Sequence, residues 1–362
     1  MYWKDYQDEC KRPTKLFGRW LTTTFHNVKN RFSLRHGNHP MAPVNIRPRR
    51  LVDTMSIQLV EFDQKDTVPP YAVISHRWIH DEEVSFQEFM NPQEEIKSKP
   101  GYLKILAACQ KARKDQLGYL WIDTCCIDKG DHADVKLNIR SMYAYYQNAQ
   151  ICYAYLVDVD RSDIWLKRFM DSEWFRRGWT LQELLAPRDV RFFDKEWRYI
   201  GTKVNLAMDI SRITTIPEAV LTGQLSIRDI DPFQRMSWTI GRRTMRPPDG
   251  GYCLSGLLGV SMDPDYNETL RRSLERLWAA FINAYPQYKD ALGLGVSLLD
   301  VLDNVRAESR KTESGRVSPN TLAIGWTAVG NISTKSPGQV AEHRGESPYS
   351  DRYQGTRHDC ER

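Results

Sequence analysis

Four short β-rich runs, Tyr71–His76, Tyr119–Asp123, Ile151–Leu156 and Asp189–Asp194, alternate with segments of helical periodicity, and this alternation constrains the fold more than any other feature. Between the first two runs Tyr102, Ile105, Leu106, Cys109 and Ala112 recur at helical spacing. Between the second and third, Val135, Ile139, Met142, Tyr146 and Ala149 recur in steps of four and three. A third helical segment carries Trp174, Trp179 and Glu183 and ends at Pro187. Strands separated by helices of this length predict an α/β fold, a parallel sheet with helices on its faces. Leu51–Phe62 supplies a preceding strand or hairpin, and Pro69-Pro70 punctuates the join. Beyond residue 200 the pattern becomes mostly helical. Its clearest amphipathic stripe is Leu270, Leu274, Leu277, Trp278, Phe281 and Tyr285.

A chain of 362 residues, 41% of them hydrophobic, is long enough for one large domain or two small ones. The net charge of +5 is uneven, because residues 1–50 hold 11 Lys/Arg against 3 Asp/Glu. We therefore divide the chain into a basic, poorly ordered N-terminal extension (1–48), an α/β domain (49–200), a helical extension packed on it (201–300) and a disordered tail (307–362). The tail is rich in Ser, Gly, Thr, Pro and charge, with little periodicity. The basic arm lacks a nucleic-acid recognition motif and has few aromatics beyond Trp20 and Phe25, so nucleic acid is not an expected partner. No apolar run approaches the ~20 residues of a membrane span. Asp5, Asp8 and Glu9 interrupt the N-terminus where a secretory signal would be apolar. The seven cysteines form no Cys-x-x-Cys pair, which suits the reduced thiols of a cytoplasmic protein. The eight histidines are scattered and predict no metal site.

Ligands of parallel α/β sheets gather beyond the carboxyl ends of the strands. There the first run ends in Ser75-His76-Arg77-Trp78 and the second in Asp123, with Cys125, Cys126 and Asp128 just after. One edge can present Ser75, Arg77, Trp78, Asp123 and Glu183 together, with Arg177 and Trp179 in the same segment as Glu183. Arginine binds phosphate through a planar fork, tryptophan stacks on a base or nicotinamide ring, and a carboxylate stabilises a ribosyl cation. Each residue also has a plainer use. Trp174 and Trp179 can pack in a core, Asp123 can cap a loop, Glu183 can face solvent, and Cys125 and Cys126 can pack as small apolar groups.

Three blocks carry a resemblance. Tyr71-Ala-Val-Ile-Ser-His-Arg-Trp78, Trp121-Ile-Asp-Thr-Cys-Cys-Ile-Asp128 and Trp174-Phe-Arg-Arg-Gly-Trp-Thr-Leu-Gln-Glu183 resemble the fungal heterokaryon incompatibility (HET) domain in order and spacing. Arg235-Met-Ser-Trp238, Arg243-Thr244 and Gly251-Tyr-Cys-Leu254 are similar to the downstream region of the same subfamily. With Arg50–Phe62 at its start, the likeness runs over residues 49–285.

The resemblance implies a role in non-self recognition and regulated cell death. It also implies a distant kinship with the Toll/interleukin-1 receptor (TIR) fold, a flavodoxin-like parallel sheet. Some TIR domains hydrolyse NAD with a glutamate, so the resemblance makes Glu183 the candidate catalytic residue and NAD a candidate substrate. No prosthetic group is implied. The alternative is a non-enzymatic module acting through self-association or an incompatibility partner. One departure bears on both readings: Leu137 stands where the family commonly has a glutamate. It lies opposite the apolar stripe of its helix, so either a site acid has been lost or an interface gained.

Overall fold

The computed structural model describes residues 46–63 and 67–289. The expectations for the N-terminal extension, the tail and residues 290–300 fall outside these residues. The chain opens with a hairpin, β1 (Arg50–Asp53) and β2 (Gln58–Glu61). The Asp53 carboxylate holds its turn by accepting from the amides of Met55 and Ser56. Strand β3 (Tyr71–His76) follows and is buried along its whole length. After two short helices, α1 (Phe86–Met90) and α2 (Glu94–Ser98), comes α3 (Pro100–Lys114). Pro100 is pre-set for the first turn of α3, and Lys111, Arg113 and Lys114 complement the negative end of its dipole. Strand β4 (Tyr119–Trp121) leads to α4 (His132–Asn148), whose first turn is capped by the Asp131 carboxylate on the Ala133 amide.

Strand β5 (Ile151–Tyr155) is followed by α5 (Trp165–Asp171), a 3-10 turn (Glu173–Arg176) and α6 (Thr180–Leu185). Strands β6 (Val190–Phe193) and β7 (Tyr199–Thr202) complete the sheet, in the order β2-β1-β4-β3-β5-β6-β7. The central strands β4, β3, β5 and β6 are parallel. Both edges are antiparallel, β1 against β2 and β4 on one side and β7 against β6 on the other. The sheet is therefore mixed rather than wholly parallel. The four expected runs form its parallel centre, and Leu51–Phe62 folds as the expected hairpin. The edge strand β7 was not anticipated, because its side chains lack a clean alternation.

The connections reverse direction at β3. The chain steps outward from β3 to β4, then crosses back over β3 to β5. With right-handed crossovers, α3 lies on one face of the sheet and α4 with α6 on the other. The crevice beyond the carboxyl ends of β3 and β5 is thus the switch point of the sheet. A core of buried residues from both faces runs through Val73, Ile74, Trp121, Tyr146, Tyr153 and Phe192. Trp121 meets the edges of Tyr145 and Tyr146 from α4, with ring centroids 5.5 and 5.7 Å apart.

The remaining helices are α7 (Ala207–Thr214), α8 (Glu218–Leu221), α9 (Pro232–Ser237), α10 (Asp249–Ser255) and α11 (Leu270–Ala284). The stripe read from the sequence buries Leu274, Leu277, Phe281 and Tyr285. Two glycines allow close approach. A Cβ at Gly251 would meet the Ser273 backbone at 2.9 Å, and one at Gly256 would clash with Tyr143 of α4. No helix among the described residues is long and apolar enough to cross a membrane.

Candidate functional site

The segment from Trp174 to Glu183 is not one helix. The 3-10 turn ends at Arg176, the chain extends through Arg177, and α6 begins at Thr180. The break has a partner: the Gly178 amide donates to the Arg243 carbonyl at 2.7 Å, and the Arg243 amide to the Arg176 carbonyl at 2.6 Å. Backbone groups that would have continued a helix are spent on this parallel bridge. Upstream, Asp158 beyond β5 accepts from Ser172 Oγ and the Glu173 amide, which fixes the start of the turn. Thr180 Oγ1 bonds the carbonyls of Trp174 and Arg177 and ties the two pieces together. At the far end of α6, Lys203 donates to the carbonyls of Leu184 and Pro187. Its burial pushes the ammonium down to about 8.

These anchors place Glu183 under the sheet edge. It is only 5% exposed, which overturns the reading of a solvated helix acid. Ser75, at the end of β3, donates to Glu183 Oε2 at 2.5 Å and accepts from Trp174 Nε1 at 2.9 Å. The Tyr146 hydroxyl of α4 lies near the Glu183 carboxyl and donates to the Ile74 carbonyl at 2.9 Å. Burial, and then the nearby charge of Asp123, push the Glu183 carboxyl up to about 8, against the pull of Ser75, Arg177 and Tyr146. The group is therefore mostly protonated at neutral pH.

Asp123 accepts from Trp78 Nε1 at 3.0 Å, and its Oδ1 is buried without a partner. Lys129 lies 3.7 Å from the centroid of the Trp78 ring and the Arg177 guanidinium 5.9 Å from it. Trp179 and Tyr266 lie near Asp249, at the start of α10, whose Oδ1 is buried without a partner. Burial raises the Asp249 carboxyl to about 6. On the other side of β3, His76 faces Glu83, which is paired with Lys104 of α3. Burial first, then the Lys104 charge, lower the pKa of His76, so it stays neutral beside this ion pair.

Of the expected residues, Ser75, Glu183, Asp123, Trp78 and Arg177 form one connected cluster. Trp179 lies instead near Asp249, whose carboxyl also feels the Arg177 charge. Arg77 extends from the same strand end with its Nε buried and unpartnered, in bonded contact with neither carboxylate. Trp174 is fully buried against Phe175 and Phe192, so it is a core residue whose indole N–H also serves the site. Cys125 and Cys126 pack as apolar groups, and burial holds the Cys125 thiol well above its ordinary range. All five described cysteines are free and buried. Tyr146, Lys129, Asp249 and Arg243 were not singled out as site residues. Tyr146 is hidden in the sequence by its place in the α4 core stripe, and Asp249 and Arg243 by their distance along the chain. Among the described residues no three His, Cys, Asp or Glu side chains gather as a metal site would. A surface cleft of about 220 Å³ beside α5, lined by Asp158, Ile164, Lys167, Arg168, Asp171 and Ser172, contains none of the expected site residues.

Leu137 lies away from the cluster and is 44% exposed. Tyr146 is nine positions further on, about 180° around α4. An acid at 137 would therefore not reach Glu183, and Asp134 is committed elsewhere, to a 2.7 Å ion pair with Arg50. Leu137→Glu is expected to change stability by no more than about 0.5 kcal/mol in chemical denaturation. A loss of several kcal/mol would mean that the side chain is packed.

The family model for "Heterokaryon incompatibility protein (HET)" matches residues 71–164. Vegetative incompatibility protein HET-E-1 of Podospora anserina is 39% identical over 218 residues, 58% of this chain. The chain spans only 16% of that relative. No solved structure matches significantly.

Proposed function

The chain is a HET-domain protein, and from that premise we propose that it acts in fungal non-self recognition and cell-death signalling by cleaving the nicotinamide–ribose bond of NAD. The parallel centre, ordered β4-β3-β5-β6 with a switch point between β3 and β5, supports a flavodoxin-like or TIR-like reading. The observation carrying the catalytic reading is the Glu183 carboxyl. It is buried, bonded to Ser75, near Tyr146, and within reach of the Asp123 charge at the switch point. A structural acid would gain nothing from a site that disfavours its charge, whereas catalytic groups are commonly tuned in this way.

In this mechanism Trp78 stacks on the nicotinamide ring and Arg177 takes a phosphate. The positive pyridinium favours ionisation of Glu183 on binding. The C1′–N bond breaks and its electron pair leaves with neutral nicotinamide. The Glu183 carboxylate stabilises the oxocarbenium ion, then accepts a proton as water adds to C1′. The products are nicotinamide, ADP-ribose and one proton.

The purified 362-residue chain incubated with NAD is expected to release nicotinamide, measured by chromatography, with kcat/KM rising with pH towards about 8. Glu183→Gln is expected to lower turnover about 100-fold or more. No release from concentrated or clustered wild-type protein would overturn the catalytic reading. A second reading, docking or self-association without catalysis, is favoured by three consecutive exposed apolar residues, Ile164, Trp165 and Leu166. It gains support if Glu183→Gln kills cells as the wild type does at equal abundance.

A further inference from the structure

The parallel bridge between residues 177 and 243 sets two arginines side by side. Directly paired residues on neighbouring strands project from the same face, so the Arg177 and Arg243 side chains leave the backbone together. Like charges in this position repel, and neither guanidinium forms an ion pair among the described residues, although the Arg177 charge reaches the Glu183 and Asp249 carboxyls. Arg243 Nε is buried with no hydrogen-bond partner, and so is Arg77 Nε at the end of β3. Arg177 uses one nitrogen only for a long contact to Met245 Sδ, at 3.9 Å.

Arg242 shows what a structural arginine looks like here. Its Nε donates to the Trp238 carbonyl and one terminal nitrogen to the Arg177 carbonyl and Thr180 Oγ1, so that only its other terminal nitrogen is buried without a partner. Arg243 does none of this. The pairing is also enforced sterically: a Cβ at Gly178 would come within 2.5 Å of Thr244 Cγ2 and 3.2 Å of Cys253 Sγ. The backbone is therefore held close enough for Arg243 to stay beside Arg177, whose guanidinium lies by the Trp78 ring.

We propose that Arg177 and Arg243 form a binding site for the phosphate groups of a nucleotide-like ligand whose ring lies against Trp78. An anion between the two guanidinium groups relieves their repulsion and supplies acceptors for the unpartnered N–H groups, in the bidentate geometry that arginine favours. Arg243 belongs to the helical extension, far from the HET-matched residues in sequence, so that extension completes the site. The inference rests on the nucleotide reading above for its ligand class, but its test does not need turnover.

Inorganic pyrophosphate titrated into the full chain by calorimetry is expected to bind, more weakly as salt rises. Arg243→Ala and Arg177→Ala should each weaken binding about tenfold or more. Arg243→Lys should recover part of the loss, because it keeps the charge but not the fork. Arg212→Ala, on the exposed face of α7, should bind as the wild type does. Circular dichroism melts identify any variant that fails to fold, and Arg243→Lys then decides the matter. Absent wild-type binding, or equal affinities for wild type and Arg243→Ala, would overturn the proposal. Pyrophosphate binding without nicotinamide release would leave this site standing and remove the hydrolase. Nicotinamide release with an unchanged KM in Arg243→Ala would do the reverse.

Discussion

Glu183→Gln makes the protein more stable than the wild type at pH 8 and leaves it nearly unchanged at pH 5. The Glu183 carboxyl has an ordinary value of 4.5 and a folded value of about 8, raised first by burial and then by Asp123. Between those values the folded state binds more protons than the unfolded state. Stability therefore falls as pH rises through this window and levels off above it. Each unit of difference corresponds to about 1.4 kcal/mol, so several kcal/mol are at stake, and relaxation around an ionised carboxylate reduces this to roughly 2–3 kcal/mol. Glutamine imitates the protonated acid, with a carbonyl to accept from Ser75 and no charge to bury. Urea denaturation at pH 5, 6.5 and 8 should show the wild type losing stability while the variant stays nearly flat. Parallel curves would mean that Glu183 is ionised in the folded protein.

Trp174→Ala is expected to cost about 3–5 kcal/mol, the range for removing a large buried aromatic side chain. Trp174 is 1% exposed and meets Phe175 and Phe192 edge-on, with ring centroids 5.0 and 5.5 Å away. Its indole N–H also donates to the Ser75 oxygen that in turn donates to Glu183. Trp174→Phe separates the two contributions. It keeps most of the packing and loses the hydrogen bond, and should cost about 1–3 kcal/mol. Denaturant midpoints of the two variants test this. A Trp174→Ala loss under 1 kcal/mol would show that the aromatic cluster repacks freely.

The parallel centre could be read from the sequence because strands buried on both faces are continuous apolar runs, as in Tyr71–His76, and the intervening helices keep strict periodicity. Tyr199–Thr202 could not be read this way. Its burial runs exposed, partly buried, buried, partly buried, which carries no period-two signal. Ser75, Asp123, Trp78 and Glu183 were legible as a cluster because each sits at or beyond a strand end. Asp249 and Arg243 were not, since their nearness to Trp179 and Arg177 is created by long-range packing. The break at Gly178 was hidden for the same reason. Locally Trp174–Leu185 reads as helix, and only the Arg243 backbone shows why it is not.

That bridge also sets the smallest piece of this protein that can be moved intact to another chain. A segment cut at residue 200 keeps every strand of the sheet except part of β7. It would leave the Gly178 N–H and the Arg176 carbonyl facing water, and the N-terminus of α6 without the Arg242 clasp. Any rearrangement that shuffles such domains between larger proteins must carry residues 242–255 along with the three sequence blocks, or deliver Glu183 on a helix with one end untied.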